Sequence, residues 1–214
     1  MDLIIYTRFS PGYLHQLMKY VLSMMLFLVL MAYILSPSSI IEITENANKS
    51  ITKPEIHSVV DSYKGVKVYH NGGMRKTHGR NLTKSGYNLG LKWQCVEFVK
   101  RFYYEYFNHK MPDSYGHAKD FYNINIGDGY NAARDLNQFK NGGSKIPQKD
   151  MIIVFDGNKQ NPFGHIAIIS KVKDKEIEVV QQNWGVHTRM TLPLKKSNGS
   201  FTVLGHEVLG WLGR

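Results

Sequence analysis

The chain has 214 residues, 43% of them hydrophobic and 12% aromatic, which is enough to bury one substantial core and hardly two. Its formal charge is +10, and the excess belongs to the chain beyond residue 36, because the first 36 residues carry only Asp2, Arg8 and Lys19. That balance favours anionic partners, but the sequence has no Lys/Arg-rich run, zinc-finger spacing or RNP-like motif, which argues against nucleic acid, and its single cysteine excludes an intramolecular disulfide.

Residues 1–17 read as an N-terminal extension with a turn signal at Ser10-Pro11-Gly12. Residues 18–36 hold a charge-free run, Tyr20–Leu35, preceded by Lys19 and ended by Ser36-Pro37. The run is short of the ~20 residues a spanning helix needs and has the size of a signal-peptide core. No small-x-small cleavage site is clear, so a signal peptide and an uncleaved signal anchor both stand open. Arg8 and Lys19 before the run, with Glu42 and Glu45 after it, place the N-terminus inside and the rest outside. Residues 37–60 are polar and read as a linker, leaving 61–214 as one domain.

Within that domain, Asp61–His70 predicts a short strand around Val66, Val68 and Tyr69, and Asn71–Gly90 a long surface loop placed to rim a groove. The stretch Leu91–Asn108 predicts an amphipathic helix with Cys95, Phe98, Val99, Phe102 and Tyr106 turned inward and Cys95 in its first turn. Thiols at such positions can have pKa values lowered from about 8.5 to roughly 3.5–7.5, because the N–H groups and dipole of a helix start favour an anion. Tyr115–Gly143 is turn-rich, with a short helix expected near Ala132–Phe139. Met151–Phe155, His165–Val172 and Glu176–Gln182 predict consecutive antiparallel strands, with a last strand near Phe201–Leu209. The fold class is therefore α+β, a helix packed on a small antiparallel sheet. A cysteine on a helix N-terminus with a histidine opening a strand is the layout of papain-like hydrolases.

The hexapeptide Trp93-Gln94-Cys95-Val96-Glu97-Phe98, the later Gly164-His165-Ile166-Ala167-Ile168-Ile169 and the Gln182-Asn183 pair resemble the CHAP amidase family, most closely the amidase half of glutathionylspermidine synthetase/amidases. Weaker echoes lie at Gly65–Tyr69 and Phe139–Gly142, and the resemblance covers roughly Tyr63 to Arg214. It implies a papain-like fold in which Cys95 attacks an amide carbonyl, His165 serves as base and then acid, and water hydrolyses a thioester. The oxyanion donors would be the Cys95 N–H and the Gln94 side chain. The family places a glutamate where this chain has Gln181. Gln181 and Asn183, read as two apart on one strand, would share a face, and either amide oxygen would accept the His165 Nδ1–H. Trp93 would flank the site, and Lys100 or Arg101 would meet a substrate carboxylate. No cofactor is implied, and none of the other eight histidines stands at metal-ligand spacing, so no metal is expected.

The expected function is a cysteine amidase or peptidase exported across a membrane, held there by residues 20–35 or secreted, and acting on a cell-wall peptide or related amide. A glutathionylspermidine-type amidase is the alternative within that class. A catalytically weak module that holds a peptide or glycan is the alternative outside it, supported by the Gln181 departure.

Overall fold

The computed structural model describes residues 11–34, 36–38, 41 and 53–214. They fall into two compact units, Met1–Lys53 and Pro54–Arg214. In the first, helix α1 spans Pro11–Ile34, starting well before the charge-free run. Pro11 sits at the first helical position, where a missing N–H and a fixed φ cost nothing, so the Ser-Pro-Gly signal opens a helix instead of making a turn. At 24 residues α1 is roughly 36 Å long at 1.5 Å per residue. Its segment His15–Tyr33 has a mean hydropathy of 1.6 and is long and apolar enough to cross a membrane. The helix is thus longer than the run read from Tyr20; Leu35 lies outside the described residues.

The second unit is α+β, as expected. It begins with a hairpin, β1 (Val59–Tyr63) and β2 (Val66–Tyr69), so its first strand starts inside the stretch read as linker. The expected loop 71–90 contains a second small pair, β3 (Arg80–Leu82) and β4 (Asn88–Leu91). Helix α2 (Cys95–Phe107) follows. Eight more strands form one antiparallel sheet: β5 (Gly129–Asn131), β6 (Leu136–Lys140), β7 (Ile152–Phe155), β8 (His165–Val172), β9 (Glu176–Val180), β10 (Arg189–Ser197), β11 (Ser200–Val203) and β12 (Val208–Gly213). Their order in space is β11-β10-β9-β8-β7-β12-β6-β5.

Both faces of this sheet are apolar, which is why β7 and β8 read as unbroken hydrophobic runs. Ile152, Val154, Ile166, Ile168 and Leu212 pack with Phe98, Val99, Phe102 and Tyr103 of α2. Ile153, Ala167, Ile169, Val179, Leu192 and Trp211 form a second cluster on the opposite face. The register shifts between Ile169 and Lys171 and between Val208 and Gly210, the mark of a bulge or irregularity in the ladder. Tyr106, expected inward, is 44% exposed and stacks on Phe102 from outside.

The helix expected near Ala132–Phe139 is a β-hairpin. Leu136 and Gln138 are buried while Asn137 is exposed, a period of two, and Asp135 adopts the left-handed conformation (φ 54°) that the turn requires. A single 3-10 turn, Lys119–Phe121, is the helical element of that region. The expected last strand is two strands, β11 and β12, and β10 went unread.

Candidate active site

Cys95 is the first residue of α2, with Gln94 as N-cap in extended conformation. The preceding strand β4 delivers the chain to this point through Gly90, whose φ of +128° is glycine territory; a Cβ there would sit 3.1 Å from the Glu97 Cα, so the backbone passes directly over the helix's first turn. His165 is the first residue of β8, paired with Phe155 of β7. Gly164 before it (φ +71°) is constrained likewise, since a Cβ would lie 2.5 Å from the Phe155 carbonyl. Two glycines thus set the close approaches that carry the cysteine and the histidine to one place. Both residues line a cleft of about 660 Å³, a volume suited to a small ligand.

His165 is buried, its ring 4.7 Å from that of Trp184 and 5.8 Å from that of Phe155. Its Nε2 lies 3.0 Å from Gln181 Oε1. An amide oxygen only accepts, so this contact places the proton on Nε2 and leaves Nδ1 as the basic nitrogen. The sequence assigned the bond to Nδ1; the structure makes it Nε2. Gln181 is itself fixed by donating to the His187 carbonyl at 3.3 Å.

Asn183 does not share this role. Strand β9 ends at Val180, and Asn183 turns into the left-handed region (φ 64°), which breaks the period-two relation with Gln181. Its Nδ2 donates instead to Gln94 Oε1 at 2.5 Å and to the Met74 carbonyl at 3.0 Å, and its Oδ1 accepts from Asn71 Nδ2 at 2.9 Å. Gln94 joins the same tie, donating through Nε2 to the carbonyls of Lys76 (2.7 Å) and Met74 (3.3 Å). Both of its amide hydrogens are therefore engaged by the loop, leaving none for an oxyanion in this arrangement.

Burial pushes the Cys95 thiol up to about 11, opposed by the N–H groups of Ile166, Val96 and Cys95 itself. In this arrangement burial outweighs the first-turn N–H groups, so the thiol is raised where the helix start alone would lower it. Burial also pulls His165 down to about 4, partly offset by the bond from Gln181. At neutral pH the pair is a thiol and a neutral imidazole.

Trp93 does not line the cleft; it packs on Tyr69, with ring centroids 3.9 Å apart, and donates from Nε1 to His57 Nδ1 at 2.6 Å. Lys100 and Arg101 are also absent from it. Lys100 is buried with Nζ on the carbonyls of Asn88 and Ser114. Arg101 pairs with Glu97 at 2.5 Å and donates to the Lys67 carbonyl at 2.8 Å. Residues 100 and 101 fall on the inward side of α2, so neither meets a ligand in the cleft. Glu97 is fully buried, receiving also Asn81 Nδ2 and Gln182 Nε2, both at 2.8 Å. Gln182 in turn donates to the Gln94 carbonyl at 3.1 Å and accepts the Tyr69 N–H at 2.8 Å. This buried polar knot fastens the first turn of α2 to β2, β3 and the end of β9. Sequence reasoning gave Glu97 and Gln182 no role, although Glu97 and Arg101 stand at i,i+4 spacing. Among the described residues no group of three or more His, Cys, Asp or Glu side chains could hold a metal.

Residues 86–183, the span from β4 to the end of the Gln181–Asn183 segment, match the family described as the CHAP domain. That match covers Cys95 and His165 and points to a cysteine amidase or peptidase type of hydrolase. Among curated proteins, the chain is 27% identical over 121 residues to the trypanothione synthetase of Crithidia fasciculata, covering 54% of this chain and 19% of that one. It is 26% identical over 144 residues to the bifunctional glutathionylspermidine synthetase/amidase of Escherichia coli, covering 58% of this chain and 22% of the relative. The chain thus spans about a fifth of the length of these relatives. A solved structure described as the crystal structure of Ly7917 is 19% identical with a TM-score of 0.27, covering 46% of this chain and 38% of that one, too loose a likeness to bear on the fold.

Proposed function

We propose that this protein is a cysteine amidohydrolase in which Cys95 is the nucleophile and His165 the acid and base. The observation that carries the reading is the joint placement of the Cys95 thiol and the Gln181-oriented His165 imidazole on one cleft. Because the resting pair is neutral, the proton moves as attack occurs. His165 Nδ1 takes the S–H proton while sulfur adds to the amide carbonyl, and the oxyanion forms against the Cys95 N–H at the helix start. Collapse expels the amine, which takes the proton from His165, and leaves a thioester. Water, deprotonated by His165, then releases the acid and restores the thiol.

Gln181 is the positioning residue, holding the ring and its tautomer; Asn183 and Gln94 act on the neighbouring loop. The substrate is a peptide amide, either a cell-wall peptide or a glutathionyl amide of the kind named in the Escherichia coli relative. Helix α1 is the signal or anchor that carries the catalytic unit to the outer side of a membrane, which favours the cell-wall peptide. Incubating the full-length protein in detergent with peptidoglycan fragments and, separately, with glutathionylspermidine, and reading products by mass spectrometry, tests this. New amine and carboxylate termini that vanish in Cys95→Ala are expected; their absence with both substrates would favour a binding module.

A further inference from the structure

We infer that His206, a residue that does not line the cleft, is a positioning residue for the base: it braces Trp184 and Phe155, the two rings that pack on the His165 imidazole. The inference rests on the amidase reading for what His165 does, and on the ring contacts alone for how His165 is held.

The His206 ring stands edge-on to both neighbours of the base. Its centroid is 5.9 Å from that of Trp184 at an interplanar angle of 87°, and 5.9 Å from that of Phe155 at 86°. These are the distances and angles of favourable edge-to-face pairs, in which the positive edge of one ring meets the negative face of another. Phe155 is buried and Trp184 half-buried, whereas His206 is exposed, so it covers the two rings from the solvent side. Removing its ring would leave Trp184 with less to hold it over His165, and burial is what keeps that imidazole from taking a proton.

Strand register puts His206 in this place. His165 pairs with Phe155 across β8 and β7, and Phe155 pairs with Val208 across β7 and β12, so the three stand in one row of the sheet. The turn between β11 and β12 enters that row at His206, two residues before Val208. Gly205 gives the turn a φ of +100°, which side-chain-bearing residues rarely adopt. The turn is fastened on both sides of His206, by the Leu204 N–H to the Pro193 carbonyl at 2.9 Å and by the Asp156 N–H to the Glu207 carbonyl at 2.8 Å. Trp184 is presented by a turn of its own, between left-handed Asn183 (φ 64°) and Gly185 (φ 61°), with Asn183 tied to Gln94 and to the Met74 carbonyl. The titratable neighbours on these elements are Asp156, His187 and Glu207. Among the described residues the one ion pair made by a histidine is that of His109 with Asp135, so none of these three gives His206 a fixed counter-charge. A proton on His206 therefore also disfavours one on His165.

The first test reads His165 without turnover, by NMR titration of full-length protein in detergent carrying isotope-labelled histidine, with the His165 signal identified by its loss in His165→Gln. His206→Ala is expected to move the His165 midpoint from about 4 towards the ordinary 6.5, with the remaining histidine signals in place, which separates release of the ring from unfolding. His206→Phe keeps an edge-on ring without the charge and should hold the midpoint close to wild type. Trp184→Ala should give the same shift as His206→Ala, and the double variant little more, because the brace then has nothing to hold. In a second test, with peptidoglycan fragments as substrate, His206→Ala should lower kcat about 2- to 10-fold, the factor that one aromatic pair corresponds to, with KM unchanged, and His206→Phe should restore it. A His165 midpoint that stays in place in His206→Ala, or shifts that add in the double variant, overturns the inference whatever the turnover. A midpoint that moves as expected while wild type turns over no substrate would leave the brace standing and remove the amidase reading.

Discussion

At Cys95 two effects act on one sulfur. The first-turn N–H groups favour the thiolate and burial disfavours it, and burial wins, leaving the thiol at about 11 and its histidine at about 4. The residue pair was legible in the sequence, because a lone cysteine and a histidine opening an apolar run are local facts; its protonation state was not, because burial is set by β8, β9 and residue 184 folding over it. Iodoacetamide should therefore label Cys95 more slowly than a free thiol at pH 7. Replacing Gln181 with Glu should raise that rate, since a carboxylate on Nε2 favours the imidazolium and with it the thiolate. Gln181→Ala should lower turnover roughly 10- to 100-fold by freeing the ring. Equal labelling in wild type and Gln181→Glu would contradict the assigned contact. His165 also links folding to pH. Its folded pKa lies below the ordinary 6.5, so the unfolded chain takes up the proton first as pH falls, and stability present above pH 6.5 is lost towards pH 4, by up to about 3 kcal/mol. Urea unfolding at pH 7.5 and 4.5 should show a smaller pH dependence in His165→Gln than in wild type; identical dependences would place His165 in solvent.

Among the elements, α2 is the one whose position determines the site, and its anchor is polar. Glu97 and Arg101 face inward beneath the first turn, joined by Asn81 and Gln182. Leaving either charge unpaired costs about 3–5 kcal/mol, so Glu97→Ala should lower the unfolding free energy by that order and reduce turnover even in the fraction still folded. A loss below 1 kcal/mol in denaturant titrations would show the knot to be solvated. The helix and the strands β7 and β8 could be read from the sequence because their apolar pattern is strong. Strand β10 could not: its buried positions Leu192 and Leu194 alternate with Thr191, Pro193 and Lys195, which read locally as a polar segment. The β5–β6 hairpin was mistaken for a helix because Ala132-Ala133-Arg134 are good helix formers, whereas its turn depends on one left-handed aspartate. The tie among Asn71, Gln94 and Asn183 spans 112 residues and is visible only once the chain is folded.

At the scale of the whole chain, one helix long and apolar enough to cross a membrane accompanies one α+β unit, and the proposal reads the pair as a catalytic unit with its membrane signal or anchor. Full-length protein should sediment with membranes and resist an alkaline wash; recovery in the cytosolic fraction would remove the exported reading and favour the metabolite amide. The central claim, acyl transfer through Cys95, is tested most directly by rapid acid quench during turnover of a peptide amide, followed by intact-mass and peptide mapping. The account predicts an added mass equal to the acyl portion, attached to the peptide containing Cys95, cleared by hydroxylamine and absent in Cys95→Ala. Product formation by Cys95→Ala at the wild-type rate, or an acyl group carried by any other residue, would contradict it.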